Sequence, residues 1–179
     1  EEDDLCYRPS GPSQGWRDVP DGHSGALQWT KATDDDSASN YAIWRLRFET
    51  AGSYEVKVFS DGGVYGMSKQ APYIVKHAGG TETILVDQSA TAGWITLGEF
   101  EFDTEDGYQV RLNDNTGEPW ADDPGGIKVM FDALRVAPAG ADEPDEPQPE
   151  PAAQRAIRTQ SPVSTKDFIA MDSTRQRLA

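Results

Sequence analysis

The sequence predicts an all-β, antiparallel domain with an extended C-terminal tail, and three observations carry that prediction. Residues 71–102 hold three runs suited to strands, Tyr73 to His77, Thr81 to Asp87 and Trp94 to Phe102, separated by Ala78-Gly79-Gly80 and by Gln88 to Gly93. Tyr41 to Phe48 alternates apolar and polar side chains with the period of two that sets one face of a strand against a core. The 179 residues include 17 Gly and 12 Pro, a composition of many turns rather than long helices.

Residues 1–40 read as an irregular leading segment, because Pro9, Gly11, Pro12, Gly15, Pro20, Gly22 and Gly25 interrupt any long element. Trp16 and Trp29 stand out within it, either as anchors that pin the segment to the sheet or as a platform for a ligand. Asp34-Asp35-Asp36-Ser37 reads as a solvated turn, with a share in a calcium site as the alternative. In the strand that follows, Ala42, Trp44, Leu46 and Phe48 fall on one face and Ile43, Arg45 and Arg47 on the other. In so acidic a domain the two arginines are expected to pair with carboxylates across the sheet. Ala51-Gly52 turns the chain into a second strand, Ser53 to Ser60.

Residues 61–70 form a Gly-rich loop with no Lys-Ser pair and no following helix pattern, which excludes a P-loop and leaves a loop lip with Tyr65 exposed on it. The three runs of 71–102 are expected to make two adjacent hairpins, the first through Gly79-Gly80, a pair that supplies the positive φ angles of a tight turn. Tyr108 to Leu112 alternates again, and Asn113 to Gly117 is a tight turn that lacks the ligand spacing of an EF-hand. A loop with Trp120, Asp122, Asp123 and Pro124 precedes a closing strand, Ile127 to Val136, in which Asp132 is expected to cap a turn or neutralise an arginine. The Pro/Glu-rich stretch 138–151 then reads as an extended linker, and residues 152–179 as a basic tail.

Several of these residues form an ordered series of phrases. Ala71, Pro72, Tyr73, Val75, His77 and Gly80 lead to Val86-Asp87-Gln88; Trp94, Leu97, Gly98, Phe100 and Phe102 follow, and Asp132 to Val136 closes the series. From Trp44 through Gly52-Ser53-Tyr54-Glu55-Val56 to Val136 the chain resembles the golvesin C-terminal-like domain, also called the xanthan lyase accessory domain. That resemblance implies an antiparallel β-sandwich, of jelly-roll or carbohydrate-binding-module type, over residues 41–137. It also implies a module appended to secreted bacterial proteins, often enzymes acting on polysaccharide, without being their catalytic part.

Charge narrows the partners. The formal net charge is −15, while residues 153–179 hold five basic and two acidic residues. A surface this acidic repels phosphate backbones and anionic headgroups, so nucleic acid and bilayers are poor partners for the main domain. No apolar run reaches the length of about 18 residues that a membrane span needs. The one cysteine, Cys6, allows no disulfide within the chain; it stays free or pairs between chains. No nucleophile, base and orienting group can be assembled around His23 (with Ser24 beside it) or His77, so no catalytic residue is expected. No metal site or cofactor is expected either; the acid clusters leave room for a structural calcium without supplying its pattern.

Two readings of function follow. In the first, the protein is a secreted or cell-surface bacterial module that binds or adheres to polysaccharide or a cell-surface glycan, with Trp29, Tyr65 and Trp120 as stacking residues for sugar rings. In the second, it is a structural subunit of an extracellular assembly. Its tail then docks on another copy through Arg155, Arg158, Phe168, Ile169, Arg175 and Arg177.

Overall fold

The structure, a computed structural model, describes residues 6–61, 66–90, 92–120 and 125–141. These residues form strands β1 (Tyr7–Ser10), β2 (Arg17–Val19), β3 (Leu27–Lys31), β4 (Tyr41–Leu46), β5 (Gly52–Ser60) and β6 (Ala71–His77). After them come β7 (Gly80–Val86), β8 (Gly93–Phe102), β9 (Tyr108–Asn113), β10 (Lys128–Phe131) and β11 (Leu134–Pro138). One 3₁₀ turn, Ser13–Gly15, lies between β1 and β2. Every strand pair is antiparallel.

The architecture is a β-sandwich. A five-stranded sheet in the order β1-β4-β9-β6-β7 packs against two three-stranded sheets, β11-β5-β8 and β10-β3-β2. Alternation places the core. On β4, β9 and β6 the register sets Trp44 beside Val110 and Val110 beside Val75, and likewise Ala42 beside Leu112 and Leu112 beside Tyr73, all buried. Val56, Val58, Phe100, Phe102, Val129 and Phe131 meet them from the opposite sheets. Each such Val, Leu or Phe contributes about 1.5–3 kcal/mol by leaving water.

The first predicted hairpin forms, with β6 and β7 paired from Ala71↔Val86 to His77↔Gly80 and Gly80 at φ +133. The second does not. β8 crosses to the opposite layer and pairs with β5 from Gly52↔Phe102 to Ser60↔Gly93. The connection explains the crossover, because Gln88 is buried and bonds to groups from several parts of the sandwich. Its Nε2 donates to Tyr73 Oη (3.1 Å) and to Met130 O (2.8 Å), and its Oε1 accepts from Met130 N–H (2.9 Å). Ser60 Oγ donates to its carbonyl, and its own N–H donates to Ser68 O. Because β10 is an outer strand, the Gln88 amide stands where a neighbouring strand would satisfy Met130.

Within β8 the register slips by one residue, pairing Val56 with Gly98 and Lys57 with Thr96, so that Leu97 is the extra residue of a bulge. Gly98 has φ +154, and a Cβ there would come to 3.0 Å from the Phe100 ring.

The closing segment is two strands in two sheets rather than one. β10 pairs with β3 and β11 with β5. The chain switches at Asp132-Ala133, where Asp132 Oδ1 accepts the Ala133 N–H (2.8 Å) and Phe59 N–H donates to Ala133 O (2.9 Å). The carboxylate holds backbone N–H groups at this switch, that of Ala133 and that of the distant His23.

The leading segment is also more regular than its Pro and Gly content suggests, since β1, β2 and β3 lie within it. β1 and β3 are held by the distant β4 and β10, and β2 by the neighbouring β3. Tyr7 stands opposite Trp44 with ring centroids 5.2 Å apart, and Trp16 packs on Phe131 at 4.7 Å. β4 ends at Leu46, two residues short of the expected Phe48, whose ring nonetheless stacks on Phe102 at 4.2 Å. Cys6 is an exposed thiol.

Candidate functional site

β3 divides its side chains between two environments. Thr30 is buried, as are Val129 and Phe131 of the paired β10, and the latter two belong to the main core. Leu27 and Met130 turn the other way and form a second, smaller apolar cluster with Met67, against which Trp29 packs. Trp29 is thus displayed on the side of its sheet away from the main core.

Trp120, from the loop ahead of β10, comes to rest beside it. The two indole planes are 7° from parallel, with centroids 6.4 Å apart. Gly126 makes this possible: its φ is +75, and a Cβ at that position would overlap the Trp120 ring. Lys31, two residues beyond Trp29 on the same face of β3, holds its Nζ 4.8 Å from the Trp120 ring centre. Lys128 Nζ lies 5.6 Å from the Trp29 ring and 5.7 Å from that of Trp120, and donates to the carbonyls of Gly125 and Gly126.

The pair lines a cleft of about 470 Å³ together with Gln14, Arg17, Lys31 and Asn40. That volume lies within the range of about 300–1,000 Å³ usual for small-ligand sites. The cleft is stiffened from below. Asn40 donates its backbone N–H (2.8 Å) and its Nδ2 (3.2 Å) to Asp114 Oδ2, while Ser39 N–H donates to Oδ1 (2.9 Å). Burial raises the pKa of Asp114, against the opposing pull of the hydrogen bonds donated by Asn40 and Ser39. Asn40 Oδ1 is buried and accepts no hydrogen bond among the described residues. The Arg17 guanidinium donates to the carbonyls of Gln14 (2.6 Å) and Trp16 (2.7 Å), which holds the rim in place.

Of the aromatic residues singled out from the sequence, the fold brings Trp29 and Trp120 together; Tyr65 lies outside the described residues. So do Arg155, Arg158, Phe168, Ile169, Arg175 and Arg177 of the tail. Lys31, Lys128, Asn40 and Gly126 were not anticipated. The Trp-x-Lys spacing of 29 and 31 becomes informative only once the segment is known to be a strand.

Both histidines pack against aromatic rings. His77 Nδ1 accepts the Gly79 N–H (3.2 Å), its Nε2 stands 3.2 Å from Glu82 Oε1, and its ring packs on Phe100 at 5.1 Å. The His23 ring lies against Phe59 (5.1 Å) and Trp94 (4.8 Å). Among the described residues no group of three or more His, Cys, Asp or Glu side chains is placed to hold a metal ion. In the turn of Asp34 to Asp36, Asp35 Oδ2 accepts from Thr33 Oγ1 (2.8 Å). No helix among the described residues is long and apolar enough to cross a membrane.

On β10's far side the loop before β3 is tied down by two carboxylates. Asp61 Oδ2 accepts the Gly22 N–H (2.8 Å), and Asp132 accepts that of His23 (3.1 Å). Burial pushes the Asp132 carboxyl up to about 6, against the opposing pull of the His23 and Ala133 N–H groups. An unfolded Asp titrates near 3.8, so the folded state takes up its proton at higher pH than the unfolded chain. The stability this residue contributes is fully present below that value and is lost as pH rises through about 6. After allowance for solvent screening, Asp132→Asn is expected to lower the unfolding free energy at pH 4 relative to that at pH 7 by about 1–2 kcal/mol. Urea unfolding of both proteins at the two pH values measures it; an unchanged difference would place the proton elsewhere.

Residues 14–135 match the family model described as Golvesin C-terminal domain, which reaches back across β2 and β3 beyond the phrases legible by eye. Among solved structures, a xanthan lyase from Paenibacillus superposes with a TM-score of 0.60 at 17% identity, over 77% of this chain and 12% of that one. A GH26-CBM35 β-(1,4)-mannanase from Podospora anserina superposes with a TM-score of 0.39 at 11% identity, over 76% of this chain and 29% of that one. The chain therefore spans only a small part of the length of either enzyme. A comparison with curated proteins gave no match.

Proposed function

Since the chain belongs to the Golvesin C-terminal domain family, we propose that it is a non-catalytic accessory module that works outside a bacterial cell and holds polysaccharide in the Trp29–Trp120 cleft. The observation that carries this reading is the pair of near-parallel indoles at a cleft of about 470 Å³ bordered by amide and cationic side chains. Pyranose rings present apolar C–H faces that stack on indole, while their hydroxyls need hydrogen-bond partners at the edge. Lys31 and Gln14 supply donors at the cleft edge. The matching segment being a minor part of a lyase named for xanthan supports an accessory role, in which the module keeps a substrate near a catalytic partner.

An oligosaccharide array of neutral glycans, followed by calorimetry with the best of them, tests the reading. Trp29→Ala and Trp120→Ala should each weaken binding roughly ten- to hundredfold, as expected for removal of an aromatic stacking surface. Absence of any glycan ligand, or equal affinity of both variants and the parent, would reject the cleft as the site.

A further inference from the structure

The outer face of the five-stranded sheet carries charge of the opposite sign to the chain. Because side chains alternate, the residues between the buried ones on β4, β9 and β6 all face outward, and the register aligns them in rows. One row is Arg45, Gln109 and Lys76, side by side on three adjacent strands. The next is Arg8, Ile43, Arg111, Ile74 and Thr83, one residue from each of the five strands. Four cations thus share the face, and among the described residues no carboxylate occupies a strand position on it, in a chain of formal net charge −15.

The expectation that Arg45 and Arg47 pair with carboxylates across the sheet is therefore met only in part. Arg47 pairs with Asp106 (3.6 Å) in the turn after β8, whereas the cross-strand neighbour of Arg45 is Gln109, followed by Lys76. Arg45, Lys76 and Gln109 line a second cleft, of about 420 Å³, together with Arg47 and its partner Asp106. Arg45 and Lys76 are exposed. Arg111 is fixed: its guanidinium lies 3.8 Å above the Tyr41 ring, and its Nε donates to Asn113 Oδ1 (2.6 Å).

We propose that this face is a binding surface for a carboxylate-bearing polysaccharide, a polyuronate. Arg45 and Lys76 stand two strand spacings apart, about 10 Å. That suits charges repeated along a polymer better than one small anion. Between the cations lie Ile43 and Ile74, which can take the apolar faces of sugar rings, and the Gln109 amide, which can bond to hydroxyls; an extended sugar chain uses all three features at once. The proposal shares with the preceding section the premise of a polysaccharide partner but not its site, and the experiment separates the two.

Calorimetry with polygalacturonate as the probe and the full chain as the protein tests it, at 0.1 M and 1 M NaCl. Binding is expected at the lower salt and its loss at the higher, where the Debye length falls from about 10 Å to about 3 Å. The double variant Arg45→Glu/Lys76→Glu should bind at least about tenfold more weakly, because it replaces two attractions with two repulsions. Both positions are exposed, and an unchanged melting temperature confirms that the variant is folded. Trp120→Ala should bind polygalacturonate as the parent does, even where it has lost a neutral glycan. No binding by the parent, or undiminished binding by the double variant, overturns the proposal. Loss of polygalacturonate binding in Trp120→Ala alone moves the ligand to the tryptophan cleft and likewise overturns it. Equal, Arg45-dependent binding of polyglutamate would assign the surface to an acidic polypeptide, and equal binding of polyuridylate to a nucleic acid; either result rejects the polyuronate.

Discussion

Gln88→Ala is expected to lower the unfolding midpoint by roughly 10 °C, a loss of about 3–4 kcal/mol in a domain of this size. The side chain is buried and makes three hydrogen bonds, to Tyr73 Oη and to both backbone groups of Met130. Alanine deletes all three while leaving their partners in a site that water reaches poorly. An unsatisfied buried polar group costs about 1–3 kcal/mol, and coupled groups lose more than one bond at a time. Gln88→Glu should not rescue the loss. It keeps an acceptor for Met130 N–H but removes the donor to Met130 O and introduces a charge that burial disfavours. Thermal unfolding followed by circular dichroism measures the effect; a fall of under about 2 °C would mean that the amide is replaced by solvent and does not brace the sandwich.

The second large effect is expected at Gly126, which makes no contact of its own with a ligand in the proposed cleft. Its backbone lies at φ +75, and a Cβ there would overlap the Trp120 ring. Gly126→Ala should cost about 1–2 kcal/mol in backbone strain and push Trp120 out of its stack with Trp29. Glycan affinity in the cleft should then fall as far as in Trp120→Ala, and the near-ultraviolet circular dichroism of the paired indoles should change. In the double variant Gly126→Ala/Trp120→Ala the two binding losses should not add, because both act through one ring. Additive losses would show that Gly126 contributes to the cleft by some other route.

How far the sequence reached depended on the range of the interaction concerned. β4, β5, β6, β7 and β9 were legible because alternation is local, and their ends fall within about two residues of expectation. Pairing was less so. An alternating run such as β8 suits either layer of a sandwich, and only the buried amide of Gln88 and the partner face of β5 decide that it crosses. The apolar run from Ile127 to Val136 concealed a change of sheet because a single aspartate marks it. β1, β2 and β3 span four, three and five residues, too few to show a period, and β1 and β3 owe their pairing to partners distant in sequence. Trp29 and Trp120 stood out as large aromatics in loop-rich segments. Their juxtaposition follows from the β3–β10 register, which pairs Lys31 with Lys128 and so draws Trp120 and residues 125–128 to the end of β3. The row of Arg45, Gln109 and Lys76 was hidden for the same reason.

The crossovers also set an order of events in time. The β6–β7 hairpin and the β2–β3 pair can close early, within roughly microseconds, because their partners are neighbours along the chain. Nearly everything else waits. β9 must join β4 to β6, and both three-stranded sheets remain incomplete until residues 128–138 arrive beside β3 and β5. A topology so rich in distant pairings belongs with domains that fold over roughly milliseconds to seconds. A chain still emerging, or cut before residue 138, therefore holds the edges of β3 and β5 open. For this module the last strands act as the latch, and until they close it the tryptophan cleft has no second wall.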